Sequence, residues 1–307
     1  MMKNLFQKTS SHWIRYSEYV LYETEDGTLY VGAADSAKPI ICDPLEDGEA
    51  MVLDALNVGM LQMDKADEEE VQEAVMQFVS KYGLLGFITA LPTTPRFTDY
   101  EAVYLPKNHF IRAESMPMME YIDQFFPFEK LDFQLGKGGE FAWNFDSTKH
   151  DKDMIALAMT FDSCPMAQNM SFQRAYAERY DWLALQFKDW AFTFVASYLY
   201  YKDRETVAEE NLVGYKLGVA AFGGVAPTYH IELLDKPTIV WDFHSLSLGI
   251  QMMFSFMLAD EQNPLRMCEQ CHRIFIAKRT DAKFCRPECK NQHNVSKSRG
   301  KQENETG

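Results

Sequence analysis

Apolar and polar positions alternate along this chain with two different periods. Residues 18–32 hold two runs of alternating β-branched and aromatic residues around Asp26-Gly27. Residues 228–243 hold two more around Asp235-Lys-Pro237, and both stretches predict hairpins. Elsewhere the spacing is three and four. Met51, Val52, Ala55, Leu56 and Met60 predict a helix over 49–63 in spite of Gly59. Val71, Ala74, Val75, Phe78 and Val79 predict a second, opened by the acids Asp67 to Glu70 at its positive end and stopped at Gly83. Residues 84–91 then read as a buried segment ending at Pro92. Over 171–202, Tyr176, Tyr180, Leu183, Phe187, Trp190, Phe194, Ser197 and Tyr201 mark the longest helix, with the aromatic stripe as its core face. Further helices are expected over 212–221 and 245–258, and a short one over 116–126 within a proline-broken stretch, 93–149.

These elements amount to a mainly α chain with small β-hairpins, an α+β fold. A multihelical N-terminal domain over 1–264 is followed by a compact module over 265–300 and an unstructured tail, 301–307. Only Asn263-Pro264 and a few neighbours link the helix at 245–258 to the module. So short a link predicts that the module packs on that helix and does not swing.

The module carries the most specific chemistry in the chain. Cys268-Glu-Gln-Cys271 and Cys285-Arg-Pro-Glu-Cys289 give the pattern C-x2-C-x13-C-x3-C, with four of six cysteines inside 22 residues. Two such pairs supply four thiolates to one tetrahedral ion. The competing readings are unrelated thiols, or disulfides in an oxidising compartment. The intervening residues favour metal: 273–278 read as a strand, 279–282 as a turn and 283–285 as a returning strand. Phe275 and Phe284 are expected to shield the thiolates. Pro287 suits a first helical turn and Glu288 its positive end, so a last helix is expected to run to about 299. Knuckle, hairpin and ligand-bearing helix predict a treble-clef-like zinc finger. Four thiolates leave no open coordination position, so the Zn2+ is expected to be structural. Cys42 and Cys164 stand apart and read as ordinary small residues.

Composition changes this picture in one respect. The chain of 307 residues is 47% hydrophobic and 14% aromatic, which excludes wholesale disorder. Its net charge of −15 is unevenly spread: from Leu265 onward there are ten Lys+Arg and five Asp+Glu, so a +5 module follows a −20 body. With zinc on four thiolates the module falls to roughly +3 and stays basic. Such asymmetry points to nucleic-acid contact, or to a basic tail folded back on an acidic body. The first residues contain no apolar core of signal-peptide length, and the apolar window 182–201 is broken by Gln186, Lys188 and Asp189. A cytoplasmic protein with no membrane contact is expected. The glycines at 136–139 lack phosphate-loop spacing, and His230 and His244 stand alone. No nucleophile elbow or zinc-protease helix is present, so no enzyme is expected.

On the last helix Arg286, Lys290, Asn294, Lys297 and Lys301 lie close to one side, where they, together with Arg299, could meet the backbone of DNA or RNA. The segment from the helix at 245–258 through Leu265-Arg-Met-Cys-Glu-Gln-Cys-His-Arg-Ile-Phe275 to Lys283-Phe-Cys285 resembles bacterial CGNR-type zinc-finger proteins, which join such a finger to an ABATE-type helical domain. Phe78-Val-Ser-Lys-Tyr-Gly-Leu-Leu-Gly86 resembles a stretch of those N-terminal domains. The Cys-Gly-Asn-Arg signature reads Cys289-Lys-Asn-Gln292 here, so cysteine and Asn291 match and the arginine is lost. The resemblance implies a transcriptional regulator whose acidic body senses a ligand or dimerises. A protein-interaction scaffold with a purely structural zinc is the alternative, and a metabolite-binding protein or enzyme using the aromatic stripe is a third reading.

Overall fold

The computed structural model describes residues 9–87, 102–117, 120–121, 124–125, 132–135, 141–144, 177–220, 222–223, 228–243, 245–279 and 281–305. Among these, six helices carry the chain: α1 (Gly48–Met63), α2 (Glu68–Tyr82), α3 (Tyr180–Asp203), α4 (Glu209–Ala220), α5 (Leu246–Leu258) and α6 (Pro287–Glu305). The first strands are β1 (Thr9–Ser11), β2 (Trp13–Tyr16), β3 (Tyr19–Glu23), β4 (Leu29–Ala33) and β5 (Pro39–Cys42). The middle of the chain adds β6 (Ala102–Tyr104), β7 (Ser115–Pro117), β8 (Asp132–Leu135), β9 (Phe141–Asn144) and β10 (Ala177–Arg179). The last are β11 (Thr228–Leu233), β12 (Pro237–Asp242), β13 (Leu265–Met267) and β14 (Ile274–Ile276). The fold is α+β with small sheets, antiparallel apart from the β1–β12 pairing.

Both expected hairpins form, and each gains a third strand from far along the chain. β10 joins β3–β4 and β1 joins β11–β12. The long helix starts at Tyr180, nine residues after the expected 171. Ala177, Glu178 and Arg179 are instead taken by the sheet, where they pair with Gly32, Val31 and Tyr30. Its aromatic stripe is core over Tyr180, Leu183, Phe187, Trp190 and Phe194, which are buried, but Tyr201 at its far end is 62% exposed. In the 116–126 stretch Ser115–Pro117 forms a strand with Ala102–Tyr104, and only Glu120 and Tyr121 are helical among the described residues. Helix α6 runs past 299 and through most of the expected tail, to Glu305. Residues 88–91, the 136–139 glycines, Cys164, 171–176 and His244 lie outside the described residues.

α1 is the element against which the others pack. Met51, Val52, Ala55, Leu56, Val58 and Met60 are buried on more than one side, because α2, α3 and α5 all rest on it. Gly59 sets the closest approach. A Cβ there would run into the Phe187 carbonyl oxygen and stand 2.7 Å from the Ala191 Cβ, so only glycine lets the two backbones meet. Gly48 likewise leaves room for the Met253 sulfur of α5.

A buried carboxylate joins the sheet layer to the helices. Glu178 on β10 is fully buried, and the backbone N–H groups of Leu85 and Phe87 donate to its two oxygens at 2.9 and 2.8 Å. Gly83 and Gly86, at φ +97° and +74°, bend the 83–87 loop into the cradle these donors need. Leu85 in turn accepts from the Ser247 N–H at the start of α5, and Phe87 from the Tyr121 hydroxyl. Burial pushes the Glu178 carboxyl up from 4.5 to about 7, and the N–H groups of Phe87, Leu85 and Gly86 offset only part of that.

The folded chain therefore holds this proton more tightly than the unfolded chain. That stabilisation is complete below about pH 4.5 and is lost as pH rises through about 7. Wild-type stability, relative to Glu178→Gln, is expected to fall across that window by on the order of 3 kcal/mol, read from urea unfolding at stepped pH. Parallel curves for the two proteins would show that Glu178 keeps its ordinary pKa. Gly59→Ala should cost roughly 3 kcal/mol through overpacking. Gly214→Ala on α4, where a Cβ meets nothing within 4 Å, should gain up to about 1 kcal/mol. Equal effects in thermal and denaturant unfolding would contradict the tight α1–α3 crossing.

Candidate metal centre

The cysteine module begins as a ribbon. β13 and β14 pair with Leu265 opposite Ile276 and Met267 opposite Ile274. This corrects the expected hairpin, in which 273–278 would return along 283–285. Leu265 and Ile274 are both buried in the main core, and only pairing with the segment before the first cysteine places both there. The expected turn is present, with the Ala282 N–H donating to the Arg279 carbonyl at 3.1 Å, but no strand follows it over 283–285.

The chain between the two strands is a tight knuckle. The Cys268 N–H donates to the Arg273 carbonyl and the His272 N–H to the Cys268 carbonyl, both at 3.0 Å, with His272 in the left-handed region at φ 55°. The Glu269 N–H reaches the Lys283 carbonyl at 2.9 Å and draws in the second cysteine pair. Cys285 sits just before α6 and Cys289 in its first turn.

Four sulfur atoms thereby converge. All lie within 4.8 Å of one another, with Cys271 to Cys285 and Cys285 to Cys289 at 3.6 Å. A disulfide would hold its sulfurs at about 2.05 Å. Four thiolates at about 2.3 Å from one central ion stand about 3.8 Å apart, so the spacing fits tetrahedral coordination. The backbone is arranged for thiolates too. Burial alone would push the Cys268 thiol up, but the N–H groups of Cys271, Cys285 and Gln270 aim at it and hold it down at about 6. Burial and the adjacent thiols push Cys285 up. These residues could hold one metal ion, and with four protein ligands it would have no position left for substrate.

The module is anchored to α1. Asn57 receives the N–H of Ile274 at its Oδ1 at 2.8 Å and donates from Nδ2 to the Ile274 carbonyl at 3.1 Å. One side-chain amide thus completes the outer edge of β14 like an added strand residue. His272 lies 3.3 Å from both oxygens of Asp64 at the end of the same helix. No local pattern marks Asn57, a polar residue in an apolar helix. Its partner lies 217 residues away.

On α6, Arg286, Lys290, Asn294 and Lys297 are exposed. The neighbouring Cys289 sulfur pushes the Arg286 guanidinium further up, and Lys290 and Lys297 are the other outward cations. Neither takes part in an ion pair among the described residues, whereas Lys283 pairs with Glu269 at 3.2 Å and Arg279 with Asp281 at 2.8 Å. Phe284 packs on His293 of α6, ring centres 5.1 Å apart, and Phe275 is half-buried. Arg299 lies in the helix, and the side chains from 298 on lie outside the described residues.

Two other polar clusters went unseen in the sequence. A groove of about 590 Å³ runs between α1, α2 and the knuckle, but its charges are largely paired, Lys81 with Asp54 at 2.9 Å and His272 with Asp64. His109 Nδ1 lies 2.6 Å from the buried Asp189, whose carboxyl is pushed up by burial and held back by that histidine. Phe192 flanks the pair. No helix among the described residues is long and apolar enough to cross a membrane. Comparison with protein-family models, with curated proteins and with solved structures returns no match.

Protein purified in reducing buffer is expected to carry one metal ion per chain, measured by inductively coupled plasma mass spectrometry. Cys268→Ser should lose it together with the protease resistance of 265–305, since bound metal supplies much of a small module's folding free energy. A ratio near zero in the wild-type chain would overturn the site.

Proposed function

We propose that the four cysteines hold one structural Zn2+ and that the resulting treble-clef-like finger lays α6 against the phosphate backbone of DNA or RNA. The observation that carries this reading is the orientation of the module's charge. The finger is clamped to an acidic body through Asn57, Asp64 and the buried Leu265 and Ile274, all on its knuckle side. A basic tail folded back for neutralisation would pair its lysines with that body, yet Lys290 and Lys297 stand exposed outside any ion pair among the described residues. Exposed lysines on a helix projecting from an anionic protein are an electrostatic footprint for a polyanion. Asn294, between them on the same side, carries the donor and acceptor pair that reads a base edge.

Zinc follows from the ligand set: four thiolates at tetrahedral spacing suit Zn2+ or an iron–sulfur centre, and the knuckle-and-helix frame with a closed shell suits zinc. The arrangement accords with the CGNR-type resemblance, in which the N-terminal body serves as the sensing or dimerising part of a cytoplasmic transcriptional regulator. With Gln292 in place of the signature arginine, more of the contact falls to Lys290 and Lys297 than to a bidentate grip.

Fluorescence anisotropy with labelled duplex DNA, duplex RNA and single-stranded RNA tests the reading. Binding is expected at about 50 mM salt and should weaken linearly in log Kd against log salt. Replacing Lys290 and Lys297 together with Gln should lower that slope by about 2. Zinc content should stay unchanged. No binding to any of the three at low salt would overturn the proposal.

A further inference from the structure

Among the described residues the sheet formed by β1, β12 and β11 ends in an open edge at β11, and its outward face has the wrong chemistry for a strand facing water. Cross-strand partners share a face, so Tyr229, Ile231 and Leu233 stand with Trp241, Ile239 and Pro237. Along β11 that face looks outward, with Tyr229, Ile231 and Leu233 at 62%, 67% and 81% exposed, whereas Trp241 on β12 is half-buried against the core. The opposite face carries His230 and Glu232 beside the buried Val240. A half-buried antiparallel strand ordinarily turns its apolar residues in and its polar ones out. Here the order is reversed. Soluble proteins also protect open edges with lysine, proline or a bulge, and Thr-Tyr-His-Ile-Glu-Leu contains none of these.

We infer that β11 pairs antiparallel with β11 of a second copy of this chain, about a two-fold axis at Ile231, to give a homodimer with a continuous six-stranded sheet. The strand is complementary to itself in that register. Ile231 meets its own copy, and Tyr229 meets the partner's Leu233 twice. His230 meets the partner's Glu232 twice, so both charged pairs are of opposite sign. Other registers fail. A slip of two residues sets His230 against His230 or Glu232 against Glu232, and like charges directly opposite are destabilising. A slip of one places apolar residues opposite polar ones and turns each copy's apolar face against the other's polar face. Side-by-side pairing partly covers Ile231, Tyr229 and Leu233 while satisfying the edge backbone groups. The inference stands apart from nucleic-acid binding, since no residue of α6 takes part.

Sedimentation velocity on the full zinc-loaded chain at pH about 6 tests it. A dimer is expected at about 20 µM protein. His230→Glu sets Glu against Glu twice and should raise the dissociation constant about tenfold or more. Combining it with Glu232→His restores both opposite-sign pairs and should recover the dimer to within about threefold of wild type. Ile231→Lys should give monomer. Far-UV circular dichroism and zinc content identify any variant that fails to fold, and the exposed His230 makes His230→Glu the safer probe. A wild-type chain that stays monomeric at this concentration would overturn the inference. So would a dimer that neither Ile231→Lys nor His230→Glu weakens, or a double variant that stays as weak as the single one.

Discussion

Two neighbouring positions on α1 govern how this molecule holds together. Gly59 has no side chain, and α3 uses that gap to bring the Phe187 carbonyl against the α1 backbone. Asn57, two residues earlier, turns to the finger and satisfies both backbone groups of Ile274. A helix packed on one side needs only an apolar stripe. α1 is packed on several, so small, amide and apolar residues each occur where a particular neighbour demands them. The cysteine module consequently rests on the helix that α2, α3 and α5 also pack against, and Leu265 and Ile274 belong to the same hydrophobic cluster as Trp13 and Phe187. Cys268 and Cys289 are themselves buried.

That attachment shapes what the module can do. Its knuckle faces the body through the Asn57 and Asp64 contacts, so the ligand-bearing helix carries Lys290 and Lys297 into solvent. A freely tethered finger would gain chain freedom and lose any fixed orientation relative to the body. An anchored one presents α6 at a defined place, as the proposed polyanion contact requires on a protein of net charge −15. Arg286 differs from Lys290 and Lys297 in that the Cys289 sulfur pushes its guanidinium further up.

Glu178 holds a second junction, between a sheet and the 83–87 loop. It lies in a three-residue strand that the helical spacing of 171–202 had absorbed into one long helix, and its carboxyl gathers the N–H groups of Leu85 and Phe87 from more than ninety residues upstream. Irregular backbone such as 83–87 can be buried only where its polar groups find partners. Glu178, the Ser247 N–H and the Tyr121 hydroxyl supply them. Such a carboxylate is invisible to periodicity because the pattern of apolar residues says where a face is, and not which distant loop covers it.

What the sequence determined by itself is what short-range rules govern. The Asp26-Gly27 turn, the aromatic face of α3, the apolar run of α5 and the gathering of Cys268, Cys271, Cys285 and Cys289 all follow from spacing within about thirty residues. The tertiary structure decided the rest. It paired β14 with the residues before the knuckle and not those after it, because Leu265 and Ile274 had to reach the core together. It set the finger on α1 by way of an asparagine 217 residues distant. It also took Ala177–Arg179 from a helix into a sheet whose other strands were already formed by Tyr19–Glu23 and Leu29–Ala33. In each case a local preference worth a few tenths of a kcal/mol per residue gave way to about 1–3 kcal/mol from a buried side chain or a satisfied polar group.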